Sequence, residues 1–178
     1  MTPRLAKLPM NSMRARQLIE TLQLQPHPEG GWYGEVFRSA SSVTPTDGRA
    51  PRSALTSIYF LLEASQHSRW HRVLSDEVWV HLEGVPLTLW TCDAAMRTAP
   101  AHVRLGPVDA HGTRPQHVVP AGQWQAARPI QGHSSGDYTL VACMVGPGFD
   151  FADFSMVPPD SDEAASMRHH WPDLARML

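Results

Sequence analysis

The sequence predicts an all-β fold, an antiparallel jelly roll over about 32–156, with helices only at the two ends. Three observations lead there. Short apolar or alternating segments recur through that stretch between turn signals. The 16 prolines and 12 glycines fall between those segments rather than in one tract, as breakers do in a many-turned β protein. And 178 residues with no linker and no repeat of fixed period suit one domain with one core, 1–178.

Taken in order, 12–24 reads as a helix. Leu18, Ile19 and Leu22 share a face, Ser12 stands where a cap is wanted, and Pro26 and Pro28 end the element. His27-Pro28-Glu29-Gly30-Gly31 is a turn. Residues 32–38 alternate, with Trp32, Gly34, Val36 and Arg38 on one face and Tyr33, Glu35 and Phe37 on the other. A polar loop, 39–52, precedes the apolar run 54–62, which reads as a strand buried on both faces. Strands follow at 70–73 and 77–82 around a tight turn, then at 87–92, 102–105, 117–119, 122–127 and 138–145, with a hairpin loop at 94–100. Gly146-Pro147-Gly148 turns the chain into 149–156, where Phe149, Phe151 and Phe154 place aromatics on both faces of a late strand. Residues 161–178 read as a short surface helix; neighbouring His169 and His170 do not face each other on it and make no metal pair.

Composition excludes several classes. Lys and Arg number 15 against 17 Asp and Glu, and no basic run is longer than two, so no nucleic-acid partner is expected. No apolar run approaches the ~18 residues of a membrane span. Met1-Thr2-Pro3-Arg4-Leu5-Ala6-Lys7 lacks the apolar core of a secretory leader, so a cytoplasmic protein is expected. Cys92 and Cys143 belong to no CxxC pair and read as buried small residues rather than a disulfide framework.

The most informative stretch runs from His71 to Gly84, with Glu77, Trp79 and His81 between them. A histidine, a short turn, a glutamate, an alternating strand and a glycine resemble the first motif of the cupin β-barrels. Five pieces in order are similar to one branch of the cupin (RmlC-like) superfamily, Cupin_5 or domain of unknown function 985. They are His27-Pro28-Glu29-Gly30-Gly31-Trp32-Tyr33, Ser57-Ile58-Tyr59-Phe60-Leu61-Leu62, the His71–Trp79 region, Val118-Val119-Pro120-Ala121-Gly122-Gln123-Trp124-Gln125, and Pro147-Gly148-Phe149-Asp150-Phe151-Ala152-Asp153-Phe154. The resemblance implies a double-stranded β-helix, commonly dimeric, and brings no reaction with it.

Set against the general cupin pattern, the metal ligands are incomplete. Ser65 replaces the leading glycine of the first motif. His71 and Glu77 fit their positions, and Val73 replaces the second histidine. In the second motif Pro120 and Gly122 fit, but Gln125 stands at the histidine ligand and Pro129 at the asparagine. A transition-metal site of imidazoles and a carboxylate wants three or four such groups, so no cofactor is expected. The alternative is a divalent metal held by His71, Glu77, His81 and Gln125, His81 having the strand parity to enter with Glu77.

Without a metal, His71 is the side chain that exchanges a proton near neutral pH, with Glu77 orienting it or acting as its acid–base partner. Trp79, His81, Gln125 and Arg52 are the candidate ligand-binding residues around that pair. A competing reading pairs Glu77 with Arg52 or Arg72 in a buried ion pair. Glu29 and the Gly30-Gly31 backbone approach a ligand in one reading and form a plain positive-φ turn in the other. Arg38 and Arg52 recognise an anionic group or are ion-paired. Asp150 and Asp153 resemble calcium ligands only superficially, Asp76 points away from Glu77, and Ser134-Ser135-Gly136 lacks a nucleophile elbow.

Three functions stay open. The first is a metal-independent isomerase, epimerase or dehydratase acting on a small polar, sugar- or nucleotide-like ligand. The second is a non-catalytic binding module, and the third a metal-dependent cupin enzyme. A homodimer is expected, because Trp32, Tyr33, Phe37 and 149–154 offer more aromatic surface than one small barrel must bury, and because the resemblance implies paired barrels.

Overall fold

The computed structural model describes residues 10–130 and 137–178. The expectations about the leader segment and about Ser134-Ser135-Gly136 lie outside the described residues. Helix α1 (Met10–Thr21) begins two residues before the expected Ser12, which is therefore inside the first turn rather than at the cap. It ends before the prolines because Gln23 takes φ 52° and the Leu24 amide donates back to the Ile19 carbonyl at 2.9 Å.

Thirteen strands follow: β1 (Gln25–Pro26), β2 (Trp32–Arg38), β3 (Ser42–Val43), β4 (Arg52–Ser53), β5 (Thr56–Glu63), β6 (Ser68–Val73), β7 (Asp76–Gly84), β8 (Leu87–Cys92), β9 (Ala101–Leu105), β10 (Gln116–Val119), β11 (Trp124–Pro129), β12 (Tyr138–Gly146) and β13 (Phe154–Met156). Helix α2 (Asp162–His170) and a 3₁₀ turn at Leu174–Met177 close the chain. The expected polar loop 39–52 holds the small β3–β4 ribbon.

Apart from that ribbon, the described strands form two antiparallel sheets, ordered β1-β2-β5-β12-β7-β10 and β13-β6-β11-β8-β9. The tight turn after Val73 does not join a hairpin: β6 belongs to the smaller sheet and β7 to the larger. This crossing makes the jelly roll and puts His71 and Glu77 on opposing walls.

Strand parity then sorts the side chains into three layers. Between the sheets Phe60, Leu62, Trp79, Leu87, Leu89 and Val141 fill one end of the barrel. On the outer face of the larger sheet, Leu61 and Leu140 pack against Ala15 and Leu18 of α1. On the outer face of the smaller sheet, Trp70, Trp90 and Trp124 pack against Ala164 and Met167 of α2 and against Met177. Helix α2 is thus a cover with a buried face rather than a purely surface element. Ser161 caps it by accepting from the Ala164 amide.

Two expectations change at the open end. A register shift between Glu35 and Phe37 breaks the alternation of β2, so Arg38 joins Tyr33 and Glu35 on the inner face instead of sharing a face with Trp32. The segment 149–156 is not one strand. Asp150 accepts from the Ala152 amide at 2.8 Å and caps a 3₁₀ turn, Phe151–Asp153, ahead of the three-residue β13. Asp153 is buried and takes both Arg49 and Arg52, each at 2.8 Å, tying the β3–β4 ribbon to that turn.

Candidate functional site

The filled end of the barrel leaves a cavity of about 360 Å³ at the other. That is within the range of small-molecule sites. Its floor is made by Glu29, His71, Glu77 and Cys143. Its walls are aromatic: Tyr33, Phe60, Phe149, Phe151 and Phe154. Glu35, Arg38 and Asp150 stand among the lining groups, the first two joined by a 2.7 Å ion pair.

Glu29 reaches the floor because the turn ahead of β2 is folded tightly under the barrel. Gly30 and Gly31 hold φ of 110° and 70°, and a Cβ on Gly31 would lie 2.7 Å from the Leu61 carbonyl oxygen. The glycines are structural, and the glutamate they position is part of the site. Its carboxyl oxygen lies 3.3 Å from Nε2 of His71 and 3.4 Å from Nδ1 of His27.

The tautomers follow from the other partners of each ring. His71 Nδ1 is 2.7 Å from the Arg69 carbonyl oxygen, so it carries the proton and Nε2 accepts. His27 Nδ1 accepts from the Glu29 amide at 3.3 Å. His27 Nδ1 is thus occupied by the backbone amide, His71 Nε2 is the acceptor left to the Glu29 carboxyl, and the proton between those two belongs to the carboxyl group. Distances this short also suit an ion pair, but all three groups are buried, which disfavours charge on any of them. Desolvation lowers both His27 and His71 to about 4. Desolvation, with the nearby Glu77 carboxylate adding to it, raises Glu29 well above the ordinary carboxylate range.

Glu77 occupies the opposing wall. Its carboxylate accepts from Gln125 Nε2 at 2.6 Å, and Gln125 Oε1 accepts from Trp79 Nε1 at 3.0 Å. The Cys143 thiol donates to it as well. Burial outweighs these hydrogen bonds and lifts Glu77 to about 7. Among the described residues no Arg or Lys pairs with it. Arg52 is committed to Asp153, and Arg72 lies on the outer face, 4.6 Å over the Trp124 ring.

The sequence-derived site is thus only partly assembled. His71 and Glu77 line the cavity together. Trp79 and Gln125 stand behind Glu77 as its support and do not line it. His81 faces the barrel interior beside Val141, but four residues of strand, about 13 Å, separate it from Glu77. It cannot join a metal site with His71 and Glu77. Arg52 is a structural partner of Asp153 rather than a lining residue. Glu29 is the carboxyl paired with His71, a place the sequence reading gave to Glu77. His27 was read only as part of a turn; its spacing of two from Glu29 was the available signal.

The cupin metal does not fit this donor set. Val73 lines the cavity where a second imidazole would be, and the Gln125 amide is spent on Trp79 and Glu77. His71 is engaged at both nitrogens. Among the described residues no group of three or more His, Cys, Asp or Glu is arranged to hold a metal ion.

Comparison with known proteins agrees with this architecture. A solved structure from Shewanella oneidensis is 31% identical, with 91% of this chain and 92% of that chain covered and a TM-score of 0.74. A hypothetical protein from Leishmania major is 33% identical, with 92% and 97% covered and a TM-score of 0.78. An oxalate decarboxylase from Lactobacillus farciminis is 8% identical over 90% of this chain and 42% of its own, with a TM-score of 0.52, and shares the fold alone. No curated protein matches. Among the described residues no helix is long and apolar enough to cross a membrane. The model of Cupin_5, described as Cupin superfamily (DUF985), matches residues 16–157. That span contains all thirteen strands and every lining residue of the cavity, and the chain belongs to this family.

Proposed function

We propose that the cavity binds a small polar, sugar- or nucleotide-like molecule and moves protons on it without a metal, as an isomerase, epimerase or dehydratase does. The observation that supports this reading is the pair of buried carboxyl groups on facing walls with different proton inventories. Glu77 is poised near neutrality, where a general acid–base group is most effective. Glu29 holds its proton against the His71 imidazole. In its ionised form Glu77 takes a proton from a carbon next to a carbonyl. Glu29 gives its own proton to the carbonyl oxygen, and His71 holds the Glu29 carboxyl in place. Glu77 then returns the proton to the former carbonyl carbon while Glu29 takes one from the neighbouring hydroxyl, which completes an isomerisation with both carboxyl groups restored.

The reaction class is tested by incubating the protein with ketose, aldose and nucleotide-sugar panels in D₂O and following deuterium entry at carbon by NMR. The expected result is exchange in the wild type and a loss of about 10²-fold or more in Glu77→Gln, with binding retained. Binding without exchange, in both proteins, selects the non-catalytic module instead.

A further inference from the structure

We infer that the ligand carries a positive charge, as a protonated or quaternary amine lodged among the phenylalanine rings and facing the Glu77 carboxylate. The inference rests on the reading of the cavity as a ligand site and narrows that reading to amine-bearing molecules, leaving out phosphate-bearing nucleotides.

The first observation is the charge of the lining. Its carboxyl groups are Glu29, which keeps its proton, Glu35, which is paired with the one guanidinium, Arg38, and Glu77 and Asp150, which have no such partner among the described lining residues. That guanidinium is already taken: it forks onto Glu35 at 3.1 and 2.7 Å and donates to the Phe149 carbonyl at 3.1 Å. An anionic ligand would find no uncommitted Lys or Arg among the described lining residues. It would also meet two buried carboxyl groups.

The second observation is independent of charge. Phe149, Phe151 and Phe154 enclose a corner of the cavity with centroid separations of 5.0, 6.0 and 6.0 Å and interplanar angles of 81°, 80° and 64°. One face of Phe151 lies against His27 and one of Phe154 against His71, and the steep angles among the three phenylalanines turn their remaining faces in different directions, as a site for an alkylated ammonium requires. Tyr33 adds a fourth ring, packed edge-on against His27 at 4.7 Å.

The third observation is an unmet need. Glu77 has neutral hydrogen-bond donors but no counter-cation among the described residues, so its ionised form is costly in the free protein. A bound cation removes that cost by Coulomb attraction in a low-dielectric site. Binding therefore ionises Glu77 and releases its proton to solvent. It also sets Glu77 in the base form that proton abstraction requires, so that ligand recognition and activation of the base are one event.

The test uses choline and its uncharged isostere 3,3-dimethylbutan-1-ol, titrated calorimetrically into the full chain at pH 6.5 in two buffers of different ionisation enthalpy. Choline is expected to bind about tenfold or more tighter than the isostere, as a desolvated cation over aromatic faces does. It is also expected to release a substantial fraction of one proton, whereas the isostere releases none. Glu77→Gln should abolish the proton release and reduce the preference to the part that the aromatic faces supply. Phe151→Leu, at an exposed position that tolerates change, should weaken choline several-fold and leave the isostere unaltered. Equal affinity for the two probes, absence of binding by either at millimolar concentration, or a preference for acetate would overturn the cation assignment. Deuterium exchange on an uncharged sugar would survive such a result, so failure here is distinguishable from failure of the acid–base reading.

Discussion

Burial decides which residue of the cavity titrates near neutrality. The sequence pointed to His71 as the proton-exchanging group because an unperturbed imidazole titrates close to pH 7. The fold reverses the assignment. Removing water from His71 disfavours its cation and lowers it to about 4, while the same removal disfavours the Glu77 anion and lifts it to about 7. The two roles were illegible because nothing in the local sequence states that both side chains end up without solvent. A stability measurement exposes the difference. The folded pKa of Glu77 is raised, so its contribution is complete below the ordinary 4.5 and is lost as pH climbs through about 7, a loss on the order of 3 kcal/mol. His27 and His71 act in the opposite sense, their contribution being complete above 6.5 and lost as pH falls toward 4. Thermal unfolding of wild type and Glu77→Gln from pH 5 to 8 isolates the first effect. The variant is expected to gain on the wild type steadily as pH rises. A difference that stays constant would show that Glu77 titrates at its ordinary value.

At the level of elements, most strands were legible because their breakers and alternation are written locally. The strand 87–92 was read with the bounds that β8 takes, and β2 likewise. What escaped were features set by distant partners. The bulge at Val36 turns Arg38 inward, and the 3₁₀ turn at Phe151–Asp153, capped locally by Asp150, is tied down through Asp153 by Arg49 and Arg52 from a ribbon far away in sequence. The crossing from β6 to β7 is another such case, since a tight turn between strands reads locally as a hairpin. Gly84 shows a motif residue whose reason is now visible. It holds φ 92° at the end of β7, and a Cβ there would collide with the Tyr138 backbone of β12. Gly84→Ala is expected to cost on the order of 3 kcal/mol, lowering the melting temperature by about 6 °C or more at this chain length. A shift of only a degree or so would mean that the β7–β12 pairing relaxes around the methyl group.

For the whole molecule, the rings that suggested a dimer are largely used within one chain. Trp32 packs with the α1 layer, and Tyr33, Phe149 and Phe154 line the cavity. Phe37 and Phe151 remain more than half exposed, at 51% and 53%. A different feature now supports association. Strand β1 pairs only with Trp32 and Tyr33, which leaves the rest of β2 as a free edge among the described residues, with Val36 and Phe37 exposed on it. A bare edge with apolar side chains is a pairing surface, and two copies meeting antiparallel along it satisfy two-fold symmetry. We propose a homodimer of this kind. Sedimentation at micromolar concentration is expected to give twice the 19.8 kDa of the chain, and Phe37→Asp to return it to the single-chain mass. A wild type that sediments as one chain, or a variant that stays paired, removes this edge from consideration.

The Trp79–Gln125–Glu77 chain of hydrogen bonds makes the protein its own optical indicator. The amide of Gln125 is held with its nitrogen toward the carboxyl and its oxygen toward the indole, so a change of charge at Glu77 polarises the bond to Trp79 Nε1 directly. Indole emission responds to such a change in local field. The wild-type minus Trp79→Phe difference spectrum, recorded across pH, is expected to trace a single sigmoid centred near the Glu77 midpoint. The same signal should move to lower pH when a cation fills the cavity, giving occupancy and proton state in one unlabelled measurement. A featureless difference spectrum would mean that the amide does not transmit the charge.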